Sequence, residues 1–287
     1  MDAQSRVSNT ADRKVRVMPI AEPLLKVEDL VKRYSSNSAR TAETIAAVDG
    51  VTFSIFSGTT LALVGESGSG KSTLAFCMAC LEKPSSGRIW LDGVELTNLS
   101  DRELRVIRPK IQLIFQDPAS AMNPRWTALQ IVTEPLILKN QIARSEQFKR
   151  AEALLERVGL SAAGSRRLAE FSGGQRQRLA IARALAAEPK LLILDEAFSA
   201  LDCSVQAQMV NLLVDLQNAT GITCVFITHD LAMAALIADQ IAVMEHGRIV
   251  ECGEAPNVIL QPLQECTRAL LAAAPRTDQL RMLPENS

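Results

Sequence analysis

Residues 61–73 read Leu61-Ala-Leu-Val64-Gly65-Glu66-Ser67-Gly68-Ser69-Gly70-Lys71-Ser72-Thr73. A short, wholly apolar strand runs into a Gly/Ser loop and then into a helix expected from Lys71 to about Leu81. Gly65 to Ser72 satisfies G-x-x-x-x-G-K-[ST] in the strand–loop–helix context that makes such a loop a phosphate site. Gly65, Gly68 and Gly70 can take backbone angles closed to other residues and let backbone N–H groups close on phosphate. The positive end of the helix dipole adds to the attraction. Lys71 is placed to reach β- and γ-phosphates, and Ser72 to ligate Mg²⁺. Gly65, Glu66, Ser67, Gly68, Ser69, Gly70, Lys71, Ser72 and Thr73 are therefore candidate nucleotide contacts.

Further along, Leu191-Leu-Ile-Leu-Asp195-Glu196 is an apolar strand ending in two carboxylates. Charges at the end of a buried strand need a partner, and in a parallel sheet the strand ends are where ligands sit. Asp195 is placed to hold Mg²⁺ through water and Glu196 to polarise an attacking water as general base. Between the two regions lies Phe171-Ser172-Gly173-Gly174-Gln175. Ser172 is a good N-cap for a following helix, and the glycines allow a ligand to approach the backbone. This is a second helix N-terminus suited to an anion, in a chain with one phosphate-binding loop. The second end is expected to serve the nucleotide of another subunit.

The rest of the chain frames these motifs. Strands are expected at Leu24 to Val31, Val48 to Ile55, Ile111 to Phe115, Ile222 to Thr228, Ile241 to Met244 and Arg248 to Glu251, with a strand and Asp92-Gly93 turn within Ser86 to Asn98. Helices are expected at Glu146 to Val158, Gln175 to Ala187 and Val205 to Ala219. From Asp117 to about Leu168 strand-like runs give way to helix formers. Strands alternating with helices imply an α/β fold with a largely parallel sheet covered on both faces. Residues 1–23 read as a mobile extension, and Ser35 to Thr41 as a polar loop.

Taken in order, these motifs resemble the ATP-binding-cassette (ABC) ATPases over about Leu24 to Pro275. Gly65 to Ser72 matches Walker A, and Gln116 in Phe115-Gln116-Asp117-Pro118 the Q-loop. Phe171 to Gln175 is similar to the signature motif, and Leu191 to Glu196 to Walker B. Ser199-Ala-Leu-Asp202 matches the D-loop, and His229 in Thr228-His229-Asp230 the H-loop. The resemblance implies a P-loop NTPase cassette at 24–262 with a parallel core sheet, an antiparallel β subdomain, a helical subdomain at about 117–170, and a tail at 263–287. It implies two ATPs held head-to-tail between two cassettes, each touching the loop of one chain and Ser172, Gly173, Gly174 and Gln175 of the other. His229 would contact the γ-phosphate. Gln116 would contact Mg²⁺ and water and couple the site to a membrane subunit, and Asp202 would communicate across the pair. Tyr34, the only tyrosine, stands where the family places an aromatic against adenine.

Phe115 to Arg125, Phe171 to Arg178 and Thr267 to Pro275 resemble the dipeptide/oligopeptide/nickel importer group. That implies uptake of peptides or a similar small solute, with separate integral membrane permeases, a second cassette (identical or not) and, indirectly, a solute-binding protein. The alternatives are import of another solute such as nickel, and a mechanical ABC ATPase outside transport. The sequence departs from the group at Gln264-Glu265-Cys266, where His-Pro-Tyr is usual. It departs again at Ala197, where proline commonly follows the glutamate; without it the turn lacks a fixed φ.

Lys and Arg number 31 against 32 Asp and Glu, so bulk nucleic-acid binding is not expected. The six cysteines are scattered among apolar residues, and Cys77-x-x-Cys80 falls where a helix should run, so packing is expected of them. Residues 1–23 lack the apolar stretch of a signal peptide. The longest apolar run, Leu231 to Ala238, is cut off by Asp239 and is too short to span a bilayer. The expected location is peripheral, on the cytoplasmic face of the cell (inner) membrane.

Overall fold

The computed structural model describes residues 22–35, 44–139 and 141–273. Most of the expected N-terminal extension (1–21), most of the polar loop (36–41) and the tail from 274 onward, Pro275 included, lie outside the described residues.

The larger sheet has six strands in the order β10 (Arg248–Glu254), β9 (Gln240–Glu245), β3 (Thr60–Val64), β8 (Thr223–Thr228), β7 (Leu191–Asp195) and β6 (Ile111–Ile114). All adjacent pairs are parallel except β10 with β9. A second, antiparallel sheet runs β2 (Thr44–Ile55), β1 (Leu25–Ser35), β4 (Ser86–Leu91), β5 (Val94–Glu95). The helices are α1 (Lys71–Met78), α2 (Asp101–Ile107), α3 (Ala128–Lys139), α4 (Arg144–Arg157), α5 (Gly173–Ala186), α6 (Cys203–Thr220), α7 (Leu231–Ile237), α8 (Ala255–Leu260) and α9 (Glu265–Ala273).

Strand period explains how one sheet feeds separate cores. Successive side chains point to opposite faces. Leu191, Ile193, Val225 and Ile227 pack with Leu74 and Met78 of α1 and with the antiparallel sheet. Leu192, Leu194, Cys224 and Phe226 pack on the other face with residues of α3 to α6. The central strands are apolar on both faces because both faces are covered.

Several elements differ from their expected extents for local reasons. The first two strands run on to Ser35 and back to Thr44, since they pair along their whole length as far as Ser35 opposite Thr44. Helix α1 stops at Met78, short of Leu81. Cys80 takes φ 55°, the Leu81 N–H donates to the Phe76 carbonyl and the Cys80 N–H to that of Cys77, the Schellman pattern that ends a helix. Cysteine stands there in place of the usual glycine. Burial pushes the Cys77 thiol up to about 11, and both cysteines are free, in keeping with packing. The short α2 begins with a capping box between Ser100 and Glu103. Among the described residues no helix is long and apolar enough to cross a membrane.

Candidate functional site

Register brings the motifs to one edge. Val64, the last residue of β3, lies opposite Thr228 and Val243, and Asp195 lies opposite Ile227. The loop after β3, the carboxylates after β7 and His229 after β8 therefore emerge side by side at the carboxyl ends of parallel strands. Gln116 follows β6, which pairs with β7 through Ile114 and Leu194.

The glycines of the phosphate-binding loop answer three different constraints. A Cβ on Gly65 would lie 2.2 Å from the Met244 carbonyl oxygen of β9. Gly70 has φ 106°, and its Cβ would meet the Ala47 carbonyl oxygen of β2 at 2.0 Å. Gly68 has open space around it but φ 83°, a region costly to other residues. Gly70 is the N-cap of α1 and supplies no side-chain cap, so the first N–H groups of the helix keep no intrahelical partner. Glu66, Ser67 and Gly68 are exposed at the tip, Ser69 is buried beneath it, and Thr73 is half-buried.

Lys71 is only 4% exposed, and its ammonium donates to the carbonyls of Gly65 (2.8 Å) and Glu66 (2.7 Å). Burial pulls its pKa down, while the carboxylates of Glu196 and Asp195 oppose that shift. The exposed Ser72 hydroxyl donates to Asp195 Oδ1 at 3.1 Å. Burial pushes the Asp195 carboxyl up, against the Ser72 hydrogen bond; Glu196 adds to the rise and Lys71 counters it. A hydroxyl and a carboxylate side by side are hard oxygen donors of the kind Mg²⁺ takes. Among the described residues no cluster of three or more His, Cys, Asp or Glu could hold a metal by itself.

Glu196 has φ 46°, a left-handed backbone that costs a non-glycine residue about 1–2 kcal/mol. Its N–H donates to the Ile227 carbonyl (3.0 Å), and its carbonyl accepts from the Ser199 N–H (3.1 Å) and hydroxyl (2.9 Å). The exposed Gln116 reaches the same serine, Nε2 donating to Ser199 Oγ at 3.2 Å. His229 Nδ1 stands 3.8 Å from Glu196 Oε1. The imidazole is exposed; its neighbour Asp230 accepts from the N–H groups of Ala232 and Met233, capping α7, while its own N–H donates to Thr228 Oγ1. Lys71, Ser72, Gln116, Asp195, Glu196 and His229 thus share one edge, with Ser199 and Asp230 as supports that sequence reasoning left without a role. Asp230, standing just before the apolar run Leu231 to Ile237, is a helix-start signal that could have flagged it; Ser199 stood in the Ser199-Ala-Leu-Asp202 match, but its contact with Gln116, 83 positions away, has no local pattern.

The helix start at Ser172 stands apart. Ser172 and Gln175 form a reciprocal capping box at the start of α5, and no hydrogen bond among the described residues joins them to the loop at 65–73. Gly174 has a packing reason as well as an access reason: a Cβ there would lie 2.6 Å from Val205 Cγ1 of α6, and one on Gly173 would lie 3.6 Å from Leu201. Asp202 is the N-cap residue of α6, yet its exposed carboxylate makes no capping bond. Tyr34 lies at the end of β1, 40% exposed, with the Lys32 ammonium 5.0 Å from its ring centre.

The sequence profile of the ABC transporter family matches residues 48–199. A probable peptide ABC transporter ATP-binding protein of Sinorhizobium fredii is 47% identical over 266 residues, covering 91% of this chain and 75% of its own. The glutathione import ATP-binding protein GsiA of Pectobacterium atrosepticum is 45% identical; the match covers 91% of this chain but only 42% of that longer protein. Among solved structures, an ATP-binding cassette in a dimeric post-hydrolysis state bound to ADP and Pi superposes with TM-score 0.73 at 33% identity, over 80% of this chain and 98% of that one. These matches show that the chain belongs to the ABC transporter family as an ATP-binding, ATP-hydrolysing cassette.

Proposed function

We propose that this cassette powers uptake of peptides or a chemically similar small solute, as one of a pair bound beneath integral membrane permeases at the cytoplasmic face. The observation that carries the pairing is one phosphate-binding loop with a second, separate anion-facing helix end at Ser172 to Gln175. The peptide assignment is supported by relatives named for peptide and glutathione transport at 45–47% identity. In this reading residues 24–262 form the cassette, 117–170 its helical subdomain and 263–287 a tail. A separate solute-binding protein delivers the cargo.

Gly65 to Thr73 wrap the phosphates and Tyr34 stacks on the base. Ser72, Asp195 and Gln116 hold Mg²⁺, which when bound neutralises phosphate charge. Glu196 orients and deprotonates the attacking water, and His229 faces the γ-phosphate. Ser172, Gly173, Gly174 and Gln175 receive the partner's ATP, with Asp202 at the contact between subunits.

Glu196→Gln is expected to keep ATP affinity, lower kcat by about 100-fold or more and trap a dimer on size-exclusion chromatography with MgATP. Normal turnover in that variant would remove Glu196 from the role. Lys71→Ala is expected to weaken ATP binding at least about 10-fold, read by fluorescent-nucleotide titration. Affinity capture from detergent-solubilised membranes should recover integral membrane subunits, and uptake of labelled peptides should fail in cells carrying only Glu196→Gln.

A further inference from the structure

We propose that Ser199 is a positioning residue for hydrolysis, setting at once the backbone of Glu196 and the direction in which the Gln116 amide points. The inference rests on the reading of Glu196 as the group that acts on water.

A serine hydroxyl carries one proton and can accept two hydrogen bonds. The carbonyl of Glu196 has no proton to give, so the Ser199 hydroxyl at 2.9 Å must be the donor there. Its proton is then committed, and Ser199 Oγ can only accept from Gln116. Of the two ends of the Gln116 amide, only NH₂ donates. The 3.2 Å contact therefore has to be made by Nε2, which turns Oε1, the acceptor end, away from the serine. The serine thereby selects one of two amide orientations that are nearly equal in shape. It leaves an oxygen, and not an NH₂ group, available for a water or a cation.

The same hydroxyl and the Ser199 N–H are the two donors on the carbonyl of a residue held at φ 46°. A left-handed glutamate persists only where its surroundings hold it there. With Ala197 next in the chain, proline's fixed φ is absent from this turn, and the two hydrogen bonds from Ser199 close it. One hydroxyl thus joins the strand-end glutamate of β7 to the loop leaving β6. Movement of Gln116 is felt at Glu196 through a single atom.

The test uses the full-length chain and four variants, Ser199→Ala, Ser199→Thr, Gln116→Ala and the double variant Ser199→Ala/Gln116→Ala, with Glu196→Gln as control. Ser199→Ala is expected to lower kcat about 10-fold at saturating MgATP, leaving ATP affinity within about two-fold and the melting temperature near that of the parent. Ser199→Thr, which keeps the hydroxyl, is expected to restore most of the rate. The double variant should be less slow than the product of the two single losses, because either change removes the shared Ser199–Gln116 bond. Independently of turnover, the Gln116 side-chain NH₂ signals, assigned by their loss in Gln116→Ala after selective ¹⁵N-glutamine labelling, should collapse toward free-amide positions in Ser199→Ala. The proposal is overturned if Ser199→Ala turns over at the parental rate, if Ser199→Thr is as slow as Ser199→Ala, if the two single losses multiply, or if the Gln116 signals do not move. Parental turnover in Glu196→Gln would instead remove the reading beneath it, so the two failures are told apart.

Discussion

At the scale of single residues, the site holds its charges at a cost to the fold. Asp195 is 7% exposed, and burial raises its pKa above the ordinary 3.8. Between that value and its folded value the native chain binds more protons than the unfolded one, so stability falls as pH rises through the window. Asp195→Asn removes the buried charge while keeping an oxygen to accept from Ser72. It is expected to raise the melting temperature of the nucleotide-free protein by a few degrees at neutral pH, about 1 kcal/mol for a chain of this size, while abolishing Mg²⁺-dependent ATPase activity. Calorimetry and a phosphate-release assay check the two halves. Lys71 shows the same economy with the opposite charge: burial lowers its pKa, and two loop carbonyls hold the ammonium in place.

At the scale of elements, α5 and α6 are locked together where the second anion-facing end begins. Gly174→Ala should clash with Val205 and cost about 1–3 kcal/mol. Val205→Ala in the same chain should relieve most of that loss, a coupling that a double-mutant cycle of thermal melts measures. This contact was not legible in the sequence, where the two glycines spoke only of access to a ligand. What was legible had a local signature. The phosphate-binding loop announced itself by spacing, and the strands β3, β7 and β8 by unbroken apolar runs that both-faced burial requires. Helix α2 carried a signature that went unused, the Ser100-x-x-Glu103 capping box. Gln116, Glu196 and His229 each stand in a local pattern, but the meeting of Gln116 with Glu196 through Ser199 depends on strand register, which no local pattern encodes.

At the scale of the molecule, the tail is tied back to the sheet. Glu251 of β10 is 8% exposed; its carboxylate accepts from the N–H groups of Leu263 (2.9 Å) and Gln264 (3.1 Å) and from the hydroxyl of Thr267 (2.5 Å), itself fully buried. A carboxylate thus caps α9 from another element. Burial pushes the Glu251 carboxyl up, but these hydrogen bonds and nearby Arg268 outweigh it and hold its pKa below the ordinary 4.5. Its contribution is complete above that value and is lost as pH falls through the folded pKa. Glu251→Gln is expected to cost about 1–3 kcal/mol, to expose residues 263–273 to hydrogen exchange, and to flatten the acid limb of the stability profile. The altered Gln264-Glu265-Cys266 segment keeps this anchor, because two of the three donors are backbone N–H groups and the third is the Thr267 hydroxyl. Cys266 and Leu270 of α9 line a cavity of about 270 Å³ whose far wall is Gly65 to Ser69, so the tail borders the phosphate-binding loop.

The separation of the loop at Gly65 to Ser72 from the capped end at Ser172 has a genetic consequence. In a symmetric head-to-tail pair, a lesion in the loop and a lesion in the cap of the same chain damage different nucleotide sites. Two alleles, Lys71→Ala and Ser172→Arg, each inactive when alone, would form mixed pairs in which one site carries both lesions and the other carries none. Co-expression should then restore measurable transport in cells if the chain pairs with itself and one intact site suffices. The same two lesions placed on a single allele would damage both sites of every mixed pair, so that allele should interfere with the parental gene and complement neither single one.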